Sequence, residues 1–172
     1  MYLENNQIRR YPVRSILAWA AVVLWMVVIF LFSNQSSDDS GQLSYGIAEK
    51  LILLINSQAS REVIGQAEAS LRNLAHGCSF FILAILVSWS FTEIAVEDIR
   101  NAILTFVISA LYAASDEIHQ SFVPGRASQW SDFFMDAAGI ILAILIYQLI
   151  STLRFIRADL RVKREEDLRI KS

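Results

Sequence analysis

Four apolar runs, each near the length needed to cross a bilayer, decide in which solvent this 172-residue chain can fold. They cover Ser15 to Phe32, Asn73 to Thr92, Asn101 to Ile118 and Asp132 to Leu153. Roughly 20 residues of helix traverse the ~30 Å hydrocarbon layer, and the first two runs contain no Asp, Glu, Lys or Arg. Lipid offers no hydrogen-bond partner, so every backbone group must be satisfied within its own segment, which favours helices over open strands. The expected fold is therefore an all-α polytopic membrane protein, a single domain with four transmembrane helices. Composition agrees: 55% of residues are hydrophobic and 19% charged, against about 25% charged in soluble domains. The net charge of −2 carries no basic excess and argues against nucleic-acid binding. The single cysteine, Cys78, excludes an intrachain disulfide and a multi-cysteine zinc site, and its expected role is packing.

The first run follows Arg9, Arg10 and Arg14 and ends in Phe32-Ser33-Asn34-Gln35 with no small-x-small cleavage pattern, so it reads as an uncleaved signal anchor. Orientation follows from where lysine and arginine gather. Eleven of the 15 lie before span one, in the link from Glu93 to Arg100, or in the basic tail 154–172, which places both termini in the cytoplasm. The loops Ser33 to Arg72 and His119 to Ser131 then face outward. Within the first, Leu43, Ile47, Leu51, Leu54 and Ile55 recur at helical spacing, as do Val63, Ala67, Leu71 and Leu74, so two short amphipathic helices are expected there. The tail is expected either to continue span four as a helix over anionic headgroups or to be a solvated extension.

Nearly all ionisable residues associated with spans two to four fall at the outer end. Span two opens with Arg72 and His76; span three leaves through Asp116, Glu117, His119 and Gln120; span four begins with Asp132 and Asp136. Asp116, His119 and Gln120 stand at i, i+3 and i+4, and Asp132 and Asp136 at i and i+4, so two polar helix faces can converge. Between them Pro124-Gly125 suits the centre of a type II turn that would hold Arg126 in place. Four carboxyls against one fixed cation should recruit a cation or retain a proton. Asp116, His119, Asp132 and Asp136 are candidate ligands for a divalent cation, with magnesium, manganese and zinc all compatible by ligand type. His76, Asp116 and Glu117 are the acid-base candidates, and His119, Gln120, Arg126, Asp132 and Asp136 the binding candidates. Each also has a plainer role: Arg126 bracing the hairpin against Asp132, Asp132 capping span four, His76 bonding between helices, His119 at the interface, and Glu117, about 100° round the helix from Asp116, facing water or headgroups. Gly139 is expected to serve close helix packing, and the tryptophans to anchor or pack.

The run Ser115-Asp116-Glu117-Ile118-His119-Gln120-Ser121-Phe122-Val123-Pro124-Gly125-Arg126, followed by Asp132-Phe133-Phe134-Met135-Asp136 and Gly139, closely resembles the signature of the VanZ-like membrane proteins. Phe32-Ser33-Asn34-Gln35-Ser36 resembles that family's polar stretch after its first span, and Leu71-Arg72-Asn73-Leu74-Ala75-His76 the opening of its second. Asn73, Gly77, Ser79 and Phe80 stand where the family usually carries a lysine, an aromatic residue, an acidic residue and a tyrosine. The resemblance implies a multi-pass protein of the bacterial cytoplasmic membrane, linked through the founding member to low-level teicoplanin resistance. Three functions stay open. The first is a non-enzymatic envelope protein whose outward polar cup binds a membrane lipid headgroup, a lipid-linked precursor or a glycopeptide, or changes how the surface presents them. The second is a metal-assisted membrane enzyme acting on a lipid-linked phosphate or peptide. The third, ion or proton transport, lacks ionisable groups in the inner half.

Overall fold

A computed structural model describes residues 11–34, 37–96, 98–123 and 130–171, and everything described is helix or short connection. Five helices follow one another: α1 (Tyr11–Ser33), α2 (Ser37–Ile55), α3 (Arg61–Glu93), α4 (Asp98–Gln120) and α5 (Trp130–Lys171). The all-α expectation holds among the described residues. Three helical stretches, Val13–Ser33, Arg61–Glu93 and Asp132–Ile170, are long and apolar enough to cross a membrane. The remaining long helix, α4, is diluted by a buried polar face of Asn101, Thr105, Ser109, Asp116, Glu117 and Gln120. Its other face is apolar and exposed through Ile99, Ile103, Phe106, Val107, Leu111 and Ile118.

The two amphipathic segments fare differently. The first is α2, which lays Ala48 against α3 and leaves Ile47, Leu51, Leu54 and Ile55 exposed. The second is not a separate helix. Residues 63–74 are the opening turns of α3, which runs unbroken for 33 residues because nothing between Leu74 and His76 interrupts helical bonding. Ser60 caps that helix by accepting from the Val63 backbone N–H at 3.4 Å. The tail likewise continues span four as one helix of 42 residues.

Helix α3 is central and packs against all four others. It supplies Phe80, Leu83, Ala84, Val87 and Phe91 to a core completed by Val22 and Ile29 of α1, Ala113 of α4, and Ile140 and Ala143 of α5. It ends without a glycine. The Val96 N–H reaches back to the Phe91 carbonyl at 2.9 Å and that of Ala95 to Thr92 at 3.0 Å, a six-to-one and five-to-two pair that closes the helix with Ala95 in the left-handed region at φ 60°. Helix α1 is pinned by Trp25 Nε1 donating to the Ser79 carbonyl at 2.9 Å, and by Tyr112 Oη donating to the Met26 carbonyl at 2.6 Å.

The tightest crossing joins α3 to α5. A Cβ on Gly139 would overlap the Gly77 carbonyl, and one on Gly77 would stand 3.2 Å from the Met135 carbonyl oxygen. Small residues that admit close backbone approach are how membrane helices gain contact without a hydrophobic drive between them. The role expected for Gly139 is therefore met, with Gly77 as its partner. Gly139→Ala should destabilise the protein by about 1–3 kcal/mol, since the atom it meets is backbone and cannot swing away. Gly65→Ala, where nothing lies within 4 Å, should instead be neutral or gain up to about 1 kcal/mol of helix propensity. Thermal unfolding of both variants in detergent reads the contrast.

At the opposite end of the bundle from α3's start, a polar knot joins three helices. Asn101 Nδ2 donates to the Ser88 carbonyl at 2.9 Å, the Val96 carbonyl at 3.1 Å and Thr92 Oγ1 at 3.2 Å, while its Oδ1 accepts from Thr105 at 3.2 Å. Tyr147 Oη of α5 donates to Thr92 Oγ1 at 2.9 Å. Asn101→Ala removes these four bonds, while Thr92 and Thr105 keep Tyr147 and Ser88, and should lower stability by about 1–3 kcal/mol. Unchanged unfolding of that variant would show that the knot contributes nothing.

Candidate functional site

The glycine crossing sets the site. His76 precedes Gly77 on α3 and Asp136 lies one turn before Gly139 on α5, so the approach of the two backbones carries His76 Nδ1 to 3.9 Å from Asp136 Oδ1. That is within ion-pair range when the imidazole is protonated, and too long for a hydrogen bond. The Asp136 side chain is fully buried, and neither of its oxygens has a hydrogen-bond partner among the described residues.

Helix α4 brings the next carboxyls. Asp116 and Glu117 are both buried, and Glu117, Asp116 and Asp132 all act electrostatically on Asp136. Gln120, one turn along, donates from Nε2 to Asp116 Oδ2 at 2.8 Å, which fixes that carboxylate. The burial of Glu117 corrects the expectation that it faces water or headgroups. Because α4 packs against both α3 and α5, two directions about 100° apart on its surface each meet a neighbouring helix.

His119 takes another place. Its ring lies against Phe30 of α1, centroids 4.7 Å apart, and its Nε2 is buried without a hydrogen-bond partner among the described residues. Arg72 stays beside Glu68, 3.9 Å away on the same helix, and Glu68 also accepts from Ser44 of α2 at 2.7 Å. Arg126 and the Pro124-Gly125 turn lie outside the described residues.

His76, Asp116, Glu117, Gln120, Asp132 and Asp136 thus share one end of the bundle. Among the described residues no three His, Cys, Asp or Glu side chains are grouped closely enough to hold a metal ion. Asp116 Oδ2 accepts from Gln120, and the His119 ring lies against Phe30. No step through a metal follows. What the arrangement does provide is a water-shielded group of carboxyls in which Asp136 accepts no hydrogen bond from any described residue and has His76 at 3.9 Å.

The uncharged polar residues of α4, Asn101, Thr105 and Ser109, are all buried, a feature that sequence reasoning passed over. The signal was present as a four-residue spacing in phase with Asp116, but a search for ionisable groups does not register amides and hydroxyls.

A buried carboxylate that accepts no hydrogen bond weakens the fold when ionised, and its amide carries no charge. Asp136→Asn should raise stability by about 1–3 kcal/mol while removing the site's inner charge. An unfolding temperature below that of the native protein would mean that Asp136 is satisfied and structural.

A family model described as VanZ/LLP1 matches residues 18–151, a stretch that contains α3, α4 and every site residue named above. No curated protein and no solved structure matches the chain.

Proposed function

Because the chain belongs to the VanZ/LLP1 family of membrane proteins, we propose that it is a four-span protein of the bacterial cytoplasmic membrane whose acidic cluster faces outward, binds a component of the cell surface and lowers susceptibility to glycopeptides such as teicoplanin. The fourth span is α4. Its buried polar face and exposed apolar face suit a helix shielded on one side by protein and wetted by lipid on the other. The orientation rests on eleven of the 15 lysines and arginines falling on the side of the two termini. One domain holds all four spans, with the basic part of α5 extending from it on the cytoplasmic side.

The observation that carries a binding role is the fully buried Asp136, whose oxygens accept no hydrogen bond from any described residue, beside His76 and among Asp116, Glu117 and Asp132. Burying such a group costs free energy that packing alone does not repay, and intramembrane carboxyls are retained where something uses them. The partner chemistry that fits is a group presenting ammonium, amide or hydroxyl donors: a lipid headgroup, a lipid-linked precursor or the glycopeptide itself. No catalytic step is needed for this action.

Expression in a Gram-positive host tests it. The native protein should raise the inhibitory concentration of teicoplanin above that of an empty vector, and Asp116→Asn at matched membrane levels should return it to the vector value. Native protein indistinguishable from empty vector despite good expression would overturn the resistance role.

A further inference from the structure

Among the described residues nothing covers the last half of α5: every position from Leu149 to Ile170 is exposed. The helix is long and apolar enough to cross a membrane, and Asp132 to about Ser151 already makes the roughly 20 residues that the hydrocarbon layer takes up. The remainder, about 20 residues or ~30 Å of helix, stands outside it. No glycine or proline follows Gly139, and the helix runs unbroken to Lys171, so this length continues along the span instead of bending back along the lipid surface. A lone helix of that size is marginal in water.

Its exposed apolar side chains are not scattered. Leu142, Ile146, Leu149, Leu153, Ile156 and Leu160 succeed one another at alternating steps of four and three, and all six are exposed. This is the a/d spacing of a helix that packs lengthwise on another. Of the seven frames a heptad allows, this one alone keeps every a and d position apolar from Leu142 to Leu160; the row through Phe155 and Val162 meets Gln148, Ser151 and Glu165. The flanking charges obey the same frame. With Leu153 and Leu160 at a, the e positions Arg157, Arg164 and Lys171 are all basic, and the g positions Asp159 and Glu166 are both acidic.

We propose that this face of α5 is the docking surface for a second copy of the chain, the two helices pairing in parallel and in register from Leu142 within the membrane to the end of the tail. In that arrangement a g residue faces the e residue five positions later in the other copy, so Asp159 of each meets Arg164 of the other and Glu166 stands opposite position 171. Lys163 of the same helix already holds Asp159 at 2.8 Å, which keeps that carboxylate beside the stripe. An antiparallel pair would set e against e and g against g, like charge against like. Parallel is also the arrangement open to two copies inserted with the same topology. Lys163 and Asp167, at the next d and a, put opposite charges in the last core layers, a device that fixes register at some cost in stability. A face acidic on one flank and basic on the other complements itself, whereas anionic headgroups would meet Asp159 and Glu166 as well as the arginines. The aqueous stretch is short for a free coiled coil, and the span supplies what it lacks by holding the two tails at high effective concentration. Asp136, buried near the start of α5, takes no part, so the contact is independent of binding at the acidic cluster.

The test uses the full chain carrying Cys78→Ala, reconstituted into zwitterionic vesicles with and without anionic lipid. On oxidation Leu153→Cys and Leu160→Cys, at a, should be captured as disulfide-linked dimers several-fold more than Ala158→Cys and Glu165→Cys, at f on the far side. All four positions are exposed, and helical circular dichroism verifies that the bundle is kept. Asp159→Lys alone and Arg164→Glu alone should each weaken capture between differently tagged copies several-fold, because each sets like charges across the interface twice. Mixed with one another, the two variants should recover native capture, because both pairs are then restored. Equal dimer yields at a and f, or a mixture no better than either variant alone, would overturn the proposal. So would a-position cysteines that stay monomeric, whether open to a water-soluble maleimide in both vesicles, when nothing covers the face, or shielded only with anionic lipid, when headgroups do.

Discussion

The approach of α3 to α5 at Gly77 and Gly139 is the contact on which the rest of the site depends. Backbone meets backbone there, with the Gly139 Cα beneath the Gly77 carbonyl and Met135 against Gly77. Residues one position before Gly77 and one turn before Gly139 are His76 and Asp136, so a crossing set by the absence of two side chains determines the spacing of two others. Wider separation of the helices would leave room for water around Asp136 and let its charge be solvated. At the observed spacing it is not, and a carboxyl that would be unremarkable on a surface becomes the most constrained group in the molecule.

The two ends of the bundle handle polar groups in opposite ways. At the far end, Asn101 uses its donor and acceptor capacity on Ser88, Thr92, Val96 and Thr105, and Tyr147 closes the knot from α5. Groups satisfied so completely stiffen a core and specify which helices meet. At the cluster end Asp116 is paired with Gln120, whereas Asp136 and the Nε2 of His119 find no hydrogen bond among the described residues. A fold that pairs its amides and hydroxyls at one end has the means to pair its carboxyls at the other. That it does not is the contrast on which the proposed binding role rests.

Legibility in the sequence followed the strength of each signal. The helices were legible because apolar runs of span length have one solution in lipid, and the gathering of His76, Asp116, Glu117, Asp132 and Asp136 at one end followed from chain direction alone. Gly139 was read correctly as a packing residue, but Gly77 was read only as a departure from an aromatic position, since its partner is 62 residues away and no local pattern links the two. The join between the second amphipathic segment and span two was missed because periodicity carries no information on whether one helix stops before the next begins. The end of α3 was invisible for a different reason: Ala95 occupies the left-handed capping position where a glycine would have announced it. The inward turn of Glu117 was equally hidden, since it depends on α4 having a neighbour on two sides.

Helix α4 shows why site and fold cannot be separated here. It is the long helix that falls short of the apolarity of the other three, and what dilutes it is the face carrying Asn101, Thr105, Ser109, Asp116 and Gln120. Exposed to lipid, that face would cost several kcal/mol per unsatisfied group. Only α1, α3 and α5 together cover it, through the Tyr112 bond to Met26, the Ser88 and Thr105 pair, and the carboxyls of Asp116 and Asp136. A helix selected for membrane stability alone would carry apolar residues along that line, as α1 does from Ile16 to Phe32. The polar residues from Asn101 to Gln120 therefore hold α4 in the bundle by groups that include the buried carboxyls of the cluster, and a change that makes α4 more comfortable in lipid loosens its need for the other helices.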